Sequence, residues 1–260
     1  MPLMPVLVAM ETEGVKIDTQ ALKEFSQELD TGIRQVEQDI YHLSGERFNI
    51  ASPRQLGVIL FEKLKVAENP RLTATKQYAT GEDVLEKLAG RHPVIEKILE
   101  YRSLTKLKST YVDTLPGMLN PRTGRIHTSY NQAVTSTGRL SSNNPNLQNI
   151  PVRTEKGREI RKAFVPRNAD YILLAADYSQ IELRIIAHLS GDPVMKDAFR
   201  QGLDIHAATA SRIYDTPLAE VSREQRRAAK SVNFGIVYGI SAFGLSQNLN
   251  IARKEAAQII

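Results

Sequence analysis

Between Asp18 and Glu46 the chain places Leu22, Phe25, Leu29, Ile33, Val36 and Ile40 three or four residues apart, with polar side chains between them. At 3.6 residues per turn that spacing draws one apolar stripe down a long helix, and the stripe demands a partner to cover it. Asp18-Thr19 stands where an N-cap belongs, since a short polar side chain there accepts from the free amides of the first turn. A second helix fits "SPRQLGVILFEKL", with Ser52 as cap and Pro53 in the first turn. A third fits "HPVIEKILEYRSLTKLKSTYVDTL" and ends at Pro116-Gly117. Residues 1–115 are therefore predicted to be almost all helical, apart from the Thr-rich "PRLTATKQYATGED", which reads as a mobile loop.

After Pro116 the pattern changes. "NPRTGRIHTSYNQAVTSTGRLSS" mixes turn signals with β-branched and aromatic residues and predicts a hairpin of strands. "YILLAAD" is a short continuous apolar run ending in an acid, the pattern of a buried strand. "SQIELRIIAHLSGD" follows with Ile181, Ile185 and Leu189 on one helical face, and from Asp192 onward the chain reads as helical again. No repeat or low-complexity tract interrupts it. Helices, then antiparallel strands, then helices give an α+β class with segregated regions.

The chain has 260 residues and no cysteine, so disulfides, thiolate metal sites and thiol nucleophiles are excluded. Any metal must sit on carboxylates, carbonyls or imidazole. The N-terminal "MPLMPVLVAMETEG" lacks a basic leader and does not read as a signal peptide, and no apolar stretch approaches the ~20 residues of a membrane span. A soluble protein is expected. Net charge is only +5, but it is unevenly spread: residues 1–50 hold four basic and nine acidic side chains, whereas residues 101–150 hold six basic ones against Asp113. A positive middle facing a polyanion and a solvated basic surface both fit that pattern.

Three stretches carry candidate chemistry. Asp177 ends the predicted strand and Glu182 lies one turn into the next helix; a carboxylate at a strand end suits Mg²⁺, and a cap for the helix near Ser179 is the plain alternative. In "REQRRAAKSVNFGIVYG" the capping box Ser222-x-x-Gln225 starts a helix on which Arg226, Lys230, Phe234 and Tyr238 recur every fourth residue. Two cations followed by two aromatics on one stripe can hold phosphates at one end and a base at the other. Gly235 and Gly239 leave room for a flat ligand near the backbone, while Arg227 falls off the stripe; a basic outer face backed by Phe234 is the alternative. Finally, "STGRLSSNNPNLQNIPVR" is a polar loop with Arg139, Arg153, Asn146, Gln148 and Asn149, donor and acceptor groups suited to a DNA minor groove. His206 in "LDIHAA" fits either a phosphate donor or a helix cap.

Taken together, "TSTGRLSSNNPNLQNIPVR", "DYSQIELR" and "RRAAKSVNFGIVYG" closely resemble three consecutive signatures of the family A DNA polymerases, the bacterial polymerase I type, and "METEGVKID" and "YRSLTKLKSTYVDTLP" resemble its thumb region. Three long patterns in order are far more specific than a lone motif. The resemblance implies a right-hand fold with a thumb over residues 1–115, part of the palm over 116–191 and much of the fingers over 192–260. It implies that Asp177 and the carbonyl of Tyr178 bind catalytic Mg²⁺, two ions in the complete enzyme. Glu182 would exclude a 2′-hydroxyl, and His206, Arg226 and Lys230 would hold the triphosphate of a dNTP. Phe234 would pack on the incoming nucleotide and Tyr238 would stack at the template position. Arg139, Asn146, Gln148 and Asn149 would grip the minor groove of primer-template DNA, with Lys106, Lys108 and Ser109 on its backbone. Asp177, Arg226 and Lys230 would be the catalytic groups. A monomeric cytoplasmic protein without membrane partners is expected.

The family's third signature, His-Asp-Glu, occurs nowhere in these residues, and the chain stops at Ile260 inside a predicted helix. A polymerase fragment is therefore expected, inactive alone; a binding-only piece, or one part of a split polymerase, is the alternative. The related single-chain RNA polymerases fit less well, because Glu182 suits a deoxyribose gate and Phe234 stands where those enzymes would show tyrosine.

Overall fold

The computed structural model describes residues 2–260 except Arg153 and Asn250, and all described side chains but that of Val194. Arg153 of the polar loop thus lies outside the described residues. The chain divides into two compact units, Met1–Leu174 and Ala175–Ile260. Among the described residues no helix is long and apolar enough to cross a membrane.

The first unit is mostly helical. Helix α1 (Leu3–Glu13) leads into β1 (Lys16–Ile17) and then α2 (Thr19–Ser44). Asp18 caps α2, its Oδ1 accepting from the amides of Gln20 and Ala21 at 3.0 Å each. Gly45 closes the helix at φ 73°, a conformation that would strain an L side chain. Next come α3 (Pro53–Val58), capped by Ser52, α4 (Glu82–Glu86) and α5 (Pro93–Leu107). Leu22, Phe25, Leu29, Val36 and Ile40 on α2 pack in one core with Val94, Ile95, Ile98, Leu104 and Leu107 on α5. The stripe read from sequence is thus the stripe that is buried, with Ile33 at its edge. Helix α5 does not run on to Thr114; it passes into a wider turn over Lys108–Val112. The Thr-rich loop is cross-braced by a bridge between Leu72 and Tyr78 and by the Arg71–Asp83 ion pair at 3.3 Å.

The predicted hairpin forms with very short strands, β2 (Ser129–Asn131) antiparallel to β3 (Ser141–Asn143), Tyr130 opposite Ser142. Buried Thr128 meets the Ser142 hydroxyl at 2.7 Å and so ties the hairpin to the polar loop. Helix α6 (Glu155–Lys162) precedes β4 (Phe164–Val165), which pairs antiparallel with β1. The strand expected over "YILLAAD" is absent: residues 171–178 adopt no regular structure, and Ile172 and Leu174 are 84% and 85% exposed. A continuous apolar run becomes a buried strand only where a neighbour supplies ladder bonds and cover, and among the described residues no strand pairs with this one.

The second unit holds α7 (Ile181–Ser190), α8 (Pro193–Arg200), α9 (Ile205–Ile213), α10 (Arg223–Val237), α11 (Ala242–Leu249) and α12 (Arg253–Ile259). Helix α7 turns Leu183 and Ala187 inward, while the face bearing Ile181, Ile185 and Leu189 is exposed. The buried centre of α10, α11 and α12 is small, formed by Val232, Leu245 and Ala256.

Candidate functional site

Helix α10 begins as its sequence requires. The Ser222 hydroxyl accepts from the Gln225 amide at 3.1 Å, and the Gln225 side chain accepts in return from the Ser222 amide at 2.9 Å. Tyr238 is the C-cap, and Gly239 follows at φ 75° with open space around it. Gly235 does not leave room for a ligand: a Cβ there would come within 3.1 Å of Ile240, so this glycine admits a side chain of its own unit.

Along the stripe, the ammonium of Lys230 lies 5.9 Å from the centre of the Phe234 ring, and Phe234 and Tyr238 stack with centroids 6.3 Å apart at 17°. Tyr238 is 65% exposed and its hydroxyl donates to Glu182 at 3.4 Å, so an aromatic face stands open beside a carboxylate. Arg227 is exposed off the stripe. Helix α9 supplies the opposite wall. The His206 ring lies 5.7 Å from Phe234, and Asn233 donates to its Nδ1 at 3.0 Å. His206 does not cap α9; Asp204 does, through Oδ1, while Asp204 Oδ2 accepts from Arg226 Nε at 2.8 Å and Nη2 at 2.6 Å. Burial holds the His206 imidazole below its ordinary pKa, helped by the charges of Arg226 and Lys230 and opposed by Asp204. For Asp204, burial pulls upward, but the bonds from Arg226 and two backbone amides outweigh it and hold the carboxyl below its usual range. Asp204 and Asn233 were missed in the sequence. Asp204 was visible two residues before His206 as a cap candidate, whereas nothing local marked Asn233.

Asp177 is exposed and does not cap α7, whose N-cap is Gln180 in a left-handed conformation. The Gln180 side chain instead accepts from the Ile205 amide at 3.2 Å. Asp177 and the backbone of Tyr178 supply oxygen donors of the kind Mg²⁺ takes. Among the described residues no group of three metal-binding side chains exists, so this donor set is partial.

The first unit has its own concavity, a cavity of about 920 Å³ lined by Arg102, Ser103, Lys106, Tyr111, Asn146, Gln148 and Asn149 among others. Its polar loop is internally braced: Asn146 accepts from the Gln148 amide at 3.0 Å, Gln148 accepts from the Ser142 amide at 3.2 Å, and Tyr111 donates to the Asn149 carbonyl at 2.5 Å. Arg139 is exposed on the same loop, and its carbonyl accepts from Thr135. Lys106 is exposed, as is Ser109, whose carbonyl accepts from Thr114. Lys108 differs: its ammonium is 2.8 Å from Asp113 and 3.5 Å from Asp30, and it also donates to Ser26. That charge is neutralised within the unit, where it ties the turn after α5 to α2.

The chain is similar to known proteins along nearly its whole length. The model for "DNA polymerase family A" matches residues 19–260. DNA polymerase I of Geobacillus stearothermophilus is 55% identical over 260 residues, all of this chain and 29% of that protein. The thermostable DNA polymerase I of Thermus filiformis is 51% identical, covering all of this chain and 31% of that protein. The chain therefore spans under a third of these relatives. A solved structure of the POL domain of Pol1 from M. smegmatis, in complex with DNA primer-template and dNTP, superposes with a TM-score of 0.88 at 42% identity, over 99% of this chain and 45% of that one. Fold, stripe and similarity converge: the chain belongs to DNA polymerase family A.

Proposed function

We propose that this chain is the nucleotide-binding and primer-template-binding portion of a template-directed DNA polymerase. The observation that carries this is the wall of α9 and α10, where His206, Arg226 and Lys230 line up with the stacked rings of Phe234 and Tyr238. Cations at one end neutralise charge on a triphosphate, and the open aromatic faces accept a sugar and base. Asp204 keeps Arg226 pre-ordered; phosphate oxygens compete for its guanidinium when a dNTP arrives. Glu182, which accepts from the Tyr238 hydroxyl, is the residue that the resemblance assigns to exclude a 2′-hydroxyl. In the first unit, Asn146, Gln148, Asn149 and Arg139 suit the minor groove of the primer-template, with Lys106 and Ser109 on its backbone. Lys108 is already paired and contributes to the duplex only by shaping the turn.

Asp177 and the Tyr178 carbonyl would hold Mg²⁺ together with substrate phosphates, the remaining ligands not being among these residues. Bound there, the two ions of a complete site would stabilise the attacking and leaving oxygens of an in-line phosphoryl displacement. The residues of this chain bind and orient the dNTP and screen its charge. Thumb, palm and fingers over 1–115, 116–191 and 192–260 remain the reading that the resemblance supports.

The 260-residue chain is expected to bind primer-template DNA with affinity that falls steeply with salt, and to leave the primer unextended with dNTPs and Mg²⁺. Salt-independent binding would count against the interface, and primer extension abolished by Asp177→Ala would show that the single carboxylate suffices.

A further inference from the structure

Asn233 sits between two neighbours that fix its amide. The Thr209 hydroxyl meets its Oδ1 at 3.0 Å, and its Nδ2 donates to His206 Nδ1 at 3.0 Å. Thr209 lies on the same helix as His206, so when its single hydroxyl hydrogen points to Oδ1, rather than to the Ile205 carbonyl 2.8 Å away, α9 orients the amide that in turn orients its own histidine. His206 is 3% exposed, yet among the described residues no buried side-chain nitrogen or oxygen lacks a partner. With Nδ1 engaged by Asn233, Nε2 is the other ring nitrogen.

We propose that Asn233 is a positioning residue: by donating to Nδ1 it locks His206 in the tautomer with its proton on Nε2, so that a neutral imidazole offers a directional donor to a phosphate oxygen. The proposal rests on the nucleotide-binding reading above and adds to it the device that sets the donor. A neutral ring with the opposite tautomer would turn a lone pair toward the phosphate and repel it. The charged groups around the ring are Asp204 on its own helix and Arg226 and Lys230 on α10, and with burial they leave it neutral near pH 7. A donor of this kind does not titrate away as pH rises, unlike one that depends on an imidazolium.

The test is ¹⁵N NMR of the histidine rings in the 260-residue chain, with His206 assigned through His206→Gln, alongside titration with dTTP. The wild type should show a proton-bearing Nε2 and an accepting Nδ1, with dTTP affinity that follows the ligand's own titration only. Asn233→Leu should mix the tautomers and weaken dTTP roughly tenfold. Asn233→Asp keeps the shape but accepts from Nδ1, so its affinity should fall further behind the wild type as pH rises above the imidazole range of about 6–7. A wild-type ring with its proton on Nδ1, or an Asn233→Asp pH profile matching wild type, would overturn the proposal. Ring signals as expected but dTTP affinity unchanged in both His206→Gln and Asn233→Leu would instead overturn the nucleotide reading, and the proposal with it.

Discussion

The two units stand on different physics. In Met1–Leu174, α2, α5 and their neighbours share one continuous core that takes in Leu29, Ile40, Leu60, Ile95 and Ile98, all fully enclosed. In Ala175–Ile260 the cluster on α10–α12 is Val232, Leu245 and Ala256, with Leu183, Ala187, Ile205, Ala210 and Ala229 also buried, while large apolar groups such as Leu189, Tyr238 and Phe243 face outward at 78%, 65% and 60% exposure. Order in the second unit leans on polar contacts instead: the Ser222 capping box, Asp204 shared between α9 and Arg226, and the Asn233–His206 pair. A unit with less apolar burial has lower local opening energy. The unit with the larger core is a frame.

That contrast can be broken most strongly in the frame. Leu29→Ala removes a fully buried side chain from the centre of α2 and should cost about 2–5 kcal/mol, read as faster hydrogen exchange through α2 and α5. A loss below about 1 kcal/mol would mean that this core is not what holds the unit.

Acid should separate the units next. His206 has a lowered pKa when folded, so the stability it contributes is present above its ordinary value of 6.5 and is lost as pH falls below it. Asp204 is also lowered, so its contribution is present above 3.8 and lost as pH falls through its folded value. In the first unit Asp39 and Asp113 are lowered likewise and should act only in the more acidic range. Exchange in α9 and α10, corrected for intrinsic rates, should therefore rise between about pH 6.5 and 4 while α2 and α5 stay protected. Equal loss in both units, or no change in α9, would erase the distinction.

Lys106 and Lys108 sharpen it at the smallest scale. Lys106→Ala should lower the salt dependence of duplex binding by about one ion and leave stability within roughly 0.5 kcal/mol. Lys108→Ala should do the reverse, loosening the turn after α5 with little change in salt slope, since Asp113 and Asp30 already hold its charge.

These differences also show what a sequence can disclose. The caps at Asp18, Ser52 and Ser222 and the stripe from Leu22 to Ile40 were legible because their causes are local: a side chain meets an amide two or three residues away, and a period meets a helix. The run "YILLAAD" misled because a strand is defined by its neighbours, and its composition cannot announce whether they are there. Gly235 misled for a similar reason, since the space beside it belongs to Ile240, five residues on and around a turn. Lys108 looked like a cation available to DNA because Asp30 is distant in sequence and close only after α2 and α5 pack. Within the site, the row Arg226, Lys230, Phe234, Tyr238 was readable from spacing, whereas the partners that orient it from α9 needed three dimensions.

The central claim is that the α9–α10 wall holds a nucleoside triphosphate, and calorimetric titration of dTTP with Mg²⁺ into the 260-residue chain tests it most directly. Lys230 is exposed and makes its ring contact on the surface, so Lys230→Ala should leave folding intact and weaken dTTP binding by roughly 10–100-fold. Equal affinity for dTTP in the wild type and in Lys230→Ala would contradict the account.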